Sequence, residues 1–133
     1  MDPRLVAAVE ECTRASHGDT LAFPQFLERL AALGVESYYA DLRRCRRHYY
    51  LPDGRSIDVT TDDPAVPVAT SFDAGSVRAA LRQSQAGTHS YRQFLEKIMA
   101  AGCPGYHVSL LGRRALYFGR TAETYVEQFP TGD

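Results

Sequence analysis

The stretch Phe23-Pro24-Gln25-Phe26-Leu27-Glu28-Arg29-Leu30 returns later in the chain as Tyr91-Arg92-Gln93-Phe94-Leu95-Glu96-Lys97-Ile98. The match runs on through Gly34 with Gly102, Tyr38 with Tyr106 and Leu42 with Leu110, at a constant offset of 68 residues. Eight of the twenty positions from 23 to 42 are identical. The shared order of helix pattern, glycine and strand pattern favours an internal repeat over chance. Beyond it the register is read as resuming after a one-residue deletion. Arg46-Arg47-His48-Tyr49-Tyr50-Leu51 then faces Arg113-Arg114-Ala115-Leu116-Tyr117-Phe118.

Working outward, each unit reads as two helices and a small meander. Leu5, Ala8, Val9 and Cys12 recur at helical spacing, and so do Phe23, Phe26, Leu27 and Leu30. Gly34 and Gly102 close the two repeated helices. Ser90 with Gln93 is a capping-box pattern, whereas Ala22 offers no cap and Pro24 presets the first turn instead. Asp73 is placed to cap the helix carrying Val77, Ala80 and Leu81. Alternation then puts Tyr38, Ala40 and Leu42 on one side of a strand and Tyr39, Asp41 and Arg43 on the other. Next, Arg47, Tyr49 and Leu51 oppose His48 and Tyr50, before a Pro52-Asp53-Gly54 turn. Ile57 and Val59 suggest a third strand. The second unit repeats this with Tyr106, Val108 and Leu110 inward, then Arg114 to Phe118, then Glu123 to Phe129.

The expectation is an α+β, two-layer fold of internally duplicated α-α-β-β-β units, with the helices on one face of a mostly antiparallel sheet. The 133 residues read as a single domain: a first unit over 1–60, a linker over 61–70, and a second unit over 71–133. One unit alone would bury a marginal core, so joining the two is physically sensible.

This arrangement resembles a bacterial and prophage family, the DUF1398 or YbcV-like proteins. The residues that carry the likeness are Phe23-Pro24-Gln25-Phe26-Leu27 through Gly34-Val35 and Tyr38, then Tyr91 through Ala101-Gly102 and Tyr106, and the closing Thr124-Tyr125-Val126-Glu127-Gln128-Phe129-Pro130. The resemblance covers nearly the whole chain. It implies a fold and brings no catalytic residue set with it.

Composition bounds the function classes. Hydrophobic residues are 44% and charged residues 23%, with a net charge of −1, which excludes a disordered acidic chain and any global field for nucleic acid. Before residue 67 the chain holds 8 basic and 11 acidic residues, and after it 7 and 5, too small an asymmetry to name a partner. Met1-Asp2-Pro3-Arg4 lacks the apolar segment of a secretory signal, and no run approaches the ~18 apolar residues of a membrane span. A cytoplasmic location and no membrane partner are therefore expected. Cys12, Cys45 and Cys103 have no C-x-x-C or metal-ligand spacing and are expected as free thiols. Cys45, among Arg43, Arg44, Arg46 and Arg47, is the one whose surroundings favour thiolate.

Parity gives the candidate site. With Tyr38, Leu42, Tyr49 and Leu51 toward the helices, the opposite face carries Tyr39, Asp41, Arg43, His48 and Tyr50, joined by His107, Ser109 and Tyr117 from the second unit. Such a face combines aromatic area with donors and acceptors, the make-up of recognition patches. The plain alternative is a solvated sheet face, where these residue types are common. The function expected is a non-catalytic module binding a small ligand or protein through that face, with a homodimer through the sheet among the partners. The alternative is a small enzyme using its Tyr, His and Arg. A weaker third reading is nucleic-acid binding through the Arg43–Arg47 turn; that partner is disfavoured because alternation divides the arginines between two sides. No cofactor and no metal site are read from the sequence. His48, His107 and Asp41 have nothing to fix their convergence, and His17 and His89 are read as surface residues.

Overall fold

The structure, a computed structural model, describes residues 1–129. The Asp2 side chain accepts the Arg4 N–H at 2.9 Å and Pro3 takes the first helical position, which starts α1 (Pro3–His17). The next helix, α2 (Phe23–Ala32), has Ala22 at its N-cap with no side-chain cap and a proline in its first turn. Three strands follow, β1 (Ser37–Asp41), β2 (Arg46–Tyr50) and β3 (Ser56–Thr60). The order then recurs. Asp73 accepts from the Ser76 N–H to open α3 (Ala74–Ala86), and Ser90 and Gln93 form the expected capping box of α4 (Tyr91–Ala100). The chain continues through β4 (Gly105–Ser109), β5 (Arg114–Phe118) and β6 (Thr124–Gln128).

The six strands form one antiparallel sheet in the order β3-β2-β1-β4-β5-β6. The units meet through β1 and β4, where Tyr39 pairs with His107 at the centre and Ser37 with Ser109 at one end. Tyr39 and His107 are themselves 68 residues apart, so the seam of the sheet reads the same from either unit. The α+β, two-layer arrangement is as expected, with helix-helix-strand units in the order of the elements.

One expectation is corrected. The β1–β2 hairpin pairs Asp41 with Arg46 and the β4–β5 hairpin pairs Ser109 with Arg114, so both turns have the same length and the offset of 68 holds with no deletion. The backbone repeats even its unusual torsions. Positive φ occurs at Asp19 and Gly87, Gly34 and Gly102, Cys45 and Arg113, and Gly54 and Ala122, each pair 68 apart. The corrected register sets Arg47 opposite in role to Ala115, and Tyr49 to Tyr117. Tyr117 consequently lies on the inner face, buried in the core, and not on the outer face where a one-residue slip had placed it.

The helices cover the inner face. Phe26 meets Tyr38 edge-on at 5.8 Å, and Phe94 meets Tyr117 at 6.4 Å. Around them Val9, Leu30, Val77, Leu95, Ile98, Tyr49, Tyr106 and Val108 are buried. Each large side chain removed from water in this way contributes about 1.5–3 kcal/mol. Gly102 is required twice over: its φ is +90°, and a Cβ there would come within 2.2 Å of the Ser71 carbonyl oxygen. Among the described residues no helix is long and apolar enough to cross a membrane.

Candidate functional site

The outer face carries three cross-strand rows. The central row is Asp58, His48, Tyr39, His107, Leu116 and Val126, one residue from each strand in sheet order. Tyr39, Asp41, His48, Tyr50, His107 and Ser109 all lie on this face. Arg43 lies beyond β1 in the exposed hairpin turn, and Tyr117 is on the other side of the sheet. His48 Nδ1 is 2.8 Å from Asp58 Oδ1. Tyr39 is flanked by the rings of His48 and Phe118 at centroid distances of 6.1 and 6.0 Å, both nearly parallel to it. Its phenol lies over Gly105, where a Cβ would meet the Tyr39 oxygen at 2.7 Å. Burial pushes the Tyr39 phenol up, Asp41 adds to the shift, and Arg43 opposes it.

Two of these residues already have a local task. Asp41 accepts the Arg44 N–H at 3.2 Å and Ser109 accepts the Gly112 N–H at 2.8 Å, so each closes its own hairpin turn at equivalent positions. Among the large hydrophobic side chains of this face, Tyr50 is 40% exposed, Leu116 36% and Val126 41%, and they stand among exposed polar residues that include Arg46, Asp58 and Arg114. The arginine run is divided. Arg43, Arg44 and Arg46 are exposed, whereas Arg47 is buried under the helices.

That buried arginine centres a second constellation. Arg47 is 2% exposed and Asp63 5%. Arg47 Nη1 donates to Asp63 Oδ2 at 3.2 Å, and Nη2 reaches Asp63 Oδ1 at 3.4 Å and the Tyr91 phenol at 2.8 Å. His17 Nε2 stands 3.0 Å from Asp63 Oδ1 and 3.1 Å from Arg47 Nη2. His17 Nδ1 is 3.0 Å from the Thr13 carbonyl, which only accepts, so this nitrogen carries a proton. Thr61 donates to Asp63 Oδ2 at 2.8 Å. The Tyr91 phenol shares a short hydrogen bond with Tyr106, whose ring packs edge-on against Tyr38 at 6.3 Å. Nearby, Thr13 gives its proton to the Val9 carbonyl, so Tyr49 is the donor in the 2.6 Å Thr13–Tyr49 bond. Among the described residues no buried side-chain nitrogen or oxygen lacks a partner.

The electrostatics follow from this saturation. Burial pushes the Asp63 carboxyl up, but the His17 hydrogen bond, the Arg47 charge and the Thr61 hydroxyl outweigh it and hold the group below the usual carboxylate range. Burial also works against the Arg47 charge, and the surrounding phenols and Asp63 more than restore it. The network ties four segments together: the end of α1, the middle of β2, the connection after β3 and the start of α4. A cavity of about 280 Å³, lined by His17, Gly18, Asp62, Tyr91, Arg92 and Leu95, opens beside it.

Sequence reasoning read His17 as surface, Arg47 as part of a solvated turn and Asp63 as linker. One signal was present. Strand parity put Arg47 on the inner side with Tyr49 and Leu51, and a charge on a buried face demands a buried partner.

Comparison with known proteins places these features in a family. A family model described as "Protein of unknown function (DUF1398)" matches residues 11–128. Among curated proteins the chain is similar to the uncharacterized protein Rv2012 of Mycobacterium tuberculosis (strain H37Rv) and the uncharacterized protein Mb2035 of Mycobacterium bovis. Each is 33% identical over 109 residues, which cover 80% of this chain and 66% of the relative. The chain thus spans about two thirds of the length of the relatives it matches. With 118 consecutive residues inside the family model, the chain belongs to the DUF1398 family.

Proposed function

We propose that the protein is a non-catalytic binding module, one domain of two repeats, whose working surface is the outer face of the sheet and whose first partner is a second copy of the chain. The observation that carries this reading is that all four helices cover the same side of the sheet, leaving Tyr50, Leu116 and Val126 open around the Tyr39 aromatic row. An antiparallel sheet tolerates water on one face, and the polar residues here suit that, yet three large hydrophobic side chains stand open among them. A face spanning six strands is a broad surface, which suits a protein partner better than a small molecule, since ligand pockets are concave. The saturation of His17, with both ring nitrogens engaged, supports an architectural task for the buried network over acid/base chemistry.

Size sets the strength. Six strands about 4.8 Å apart and five residues long at about 3.3 Å each present a face of about 29 by 17 Å. Two such faces bury roughly 1,000 Å², the low end for a specific interface, so the pairing is weak and reversible. Leu116 and Val126 are neighbours on the second unit, so a pairing that brings the second units together removes both from water.

Sedimentation equilibrium over a concentration series tests this. The wild-type mass should climb from 14.8 kDa toward that of a dimer as concentration rises, and Leu116→Glu should stay monomeric at every concentration. A wild-type chain that remains monomeric throughout overturns the reading.

A further inference from the structure

A groove of about 430 Å³ lies where the β1–β2 turn, the segment after β3, the end of α4 and the β5–β6 turn meet. It is separate from the outer face and from the cavity beside His17. Leu42, Val66, Val68 and Met99 give it an apolar wall, while Arg43 and Arg120 also line it. Leu42 and Met99 are core residues, so the wall is fixed by packing. Its volume is within the range of small-molecule sites.

The charge is one-sided. No aspartate or glutamate lines the groove, and among the described residues neither Arg43 nor Arg120 stands in an ion pair. Arg120 is held in place, with Nη1 donating to the Val68 carbonyl at 3.1 Å and to Thr70 Oγ1 at 3.3 Å. At the offset of 68 the other end of the sheet has Leu111 in place of Arg43 and Pro52 in place of Arg120. The two cations are therefore a property of this groove and not of the repeated backbone.

We propose that the groove binds an amphipathic organic anion: an aliphatic carboxylate whose chain lies on Leu42, Val66, Val68 and Met99 and whose charge is met by Arg43 and Arg120. An apolar wall alone would accept any oily molecule. Charge-assisted bonds from guanidinium to carboxylate are about twice as strong as neutral ones and select the anion. This proposal is independent of the sheet-face reading.

Cys45 reports on the site. It lines the groove and is half-buried, whereas Cys12 and Cys103 are buried, and burial pushes the Cys103 thiol up to about 11. Alkylation of the native chain by iodoacetamide therefore reads Cys45 first. The experiment follows that rate against decanoate, with decanol as the uncharged control, below the micelle concentration. At ten times its Kd, decanoate should slow the reaction about tenfold by occupancy, decanol should slow it far less, and Arg43→Gln/Arg120→Gln should lose the difference. On the wild-type chain, methyl NMR should show decanoate shifting Val66, Val68 and Met99 while Leu111 stays still. Absence of protection, equal protection by decanol, or undiminished protection in a folded Arg43→Gln/Arg120→Gln chain overturns the proposal.

Discussion

The two units close onto each other at two equivalent seams, and the seams differ in chemistry. At one, Tyr91 of α4 meets Arg47, with Asp63, His17 and Thr13 around it. At the other, the residues 68 positions away are Phe23, Ala115, Gln85 and Leu81, and Phe129 replaces Thr61. There Phe23 packs edge-on against Phe129 at 5.5 Å. The backbone is the same: Thr61 N–H donates to the Cys45 carbonyl and Phe129 N–H to the Arg113 carbonyl, both at 2.9 Å. One backbone thus accepts a buried ion pair or an aromatic contact as its fastener. The lesson is that an arginine, histidine and aspartate gathered under helices do not by themselves mark a reaction centre. In this chain Ala115 stands in the other unit where Arg47 stands here and Phe23 where Tyr91 stands, while Gln85 takes the place of His17.

The comparison breaks most easily at Arg47. Arg47→Ala installs the residue of the other seam, Ala115, but leaves Asp63 buried without its cation. Removing one partner of a buried pair costs about 3–5 kcal/mol, and the urea midpoint should fall accordingly. Next comes Tyr91→Phe, which installs Phe23's side chain and takes away the acceptor of Arg47 and the partner of Tyr106. A loss of about 1–3 kcal/mol is expected by chemical denaturation.

A smaller effect separates the seams by sign. The Asp63 carboxyl is held below its ordinary value in the folded chain, so its contribution is complete above the unfolded pKa and is lost as pH falls through the folded one. Glu127, on β6, is pushed up by burial despite the Gln85 hydrogen bond. Its folded state holds the proton more tightly, so its contribution is present at low pH and is lost as pH rises above the ordinary glutamate range. Unfolding followed against pH should show Asp63→Asn flattening the acid limb and Glu127→Gln flattening the limb above it. The smallest effect is Phe23→Tyr. Phe23 is 38% exposed, so the added hydroxyl can stay in water, and stability should stay within about 0.5 kcal/mol of wild type.

Much of the fold was legible because its signals are local. The Ser90–Gln93 capping box, Asp73, Gly34, Gly102 and the period-2 strands each announce themselves within a few residues. The hairpin turns were not legible. Their αL positions are taken by Cys45 and Arg113, which carry no compositional mark, and aligning Arg46-Arg47 on Arg113-Arg114 invited a gap. That slip alone carried Tyr117 to the wrong face. The polar seam was hidden for another reason. Arg47 finds His17 30 residues before it, Asp63 16 after it and Tyr91 44 after it, separations that no local pattern records. Of the face residues named in advance, Tyr39, Asp41, His48, Tyr50, His107 and Ser109 share one side because parity is a rigid rule of strands.

Both seams lie on the helix side of the sheet, and in the function proposed above it is the outer face that meets other molecules. An isotope-filtered NOE experiment on a mixture of labelled and unlabelled chains examines that assignment directly. Intermolecular contacts are expected at Tyr50, Leu116, Phe118 and Val126; contacts confined to the helices or to Tyr91, Arg92 and His17 would overturn the assignment of the outer face.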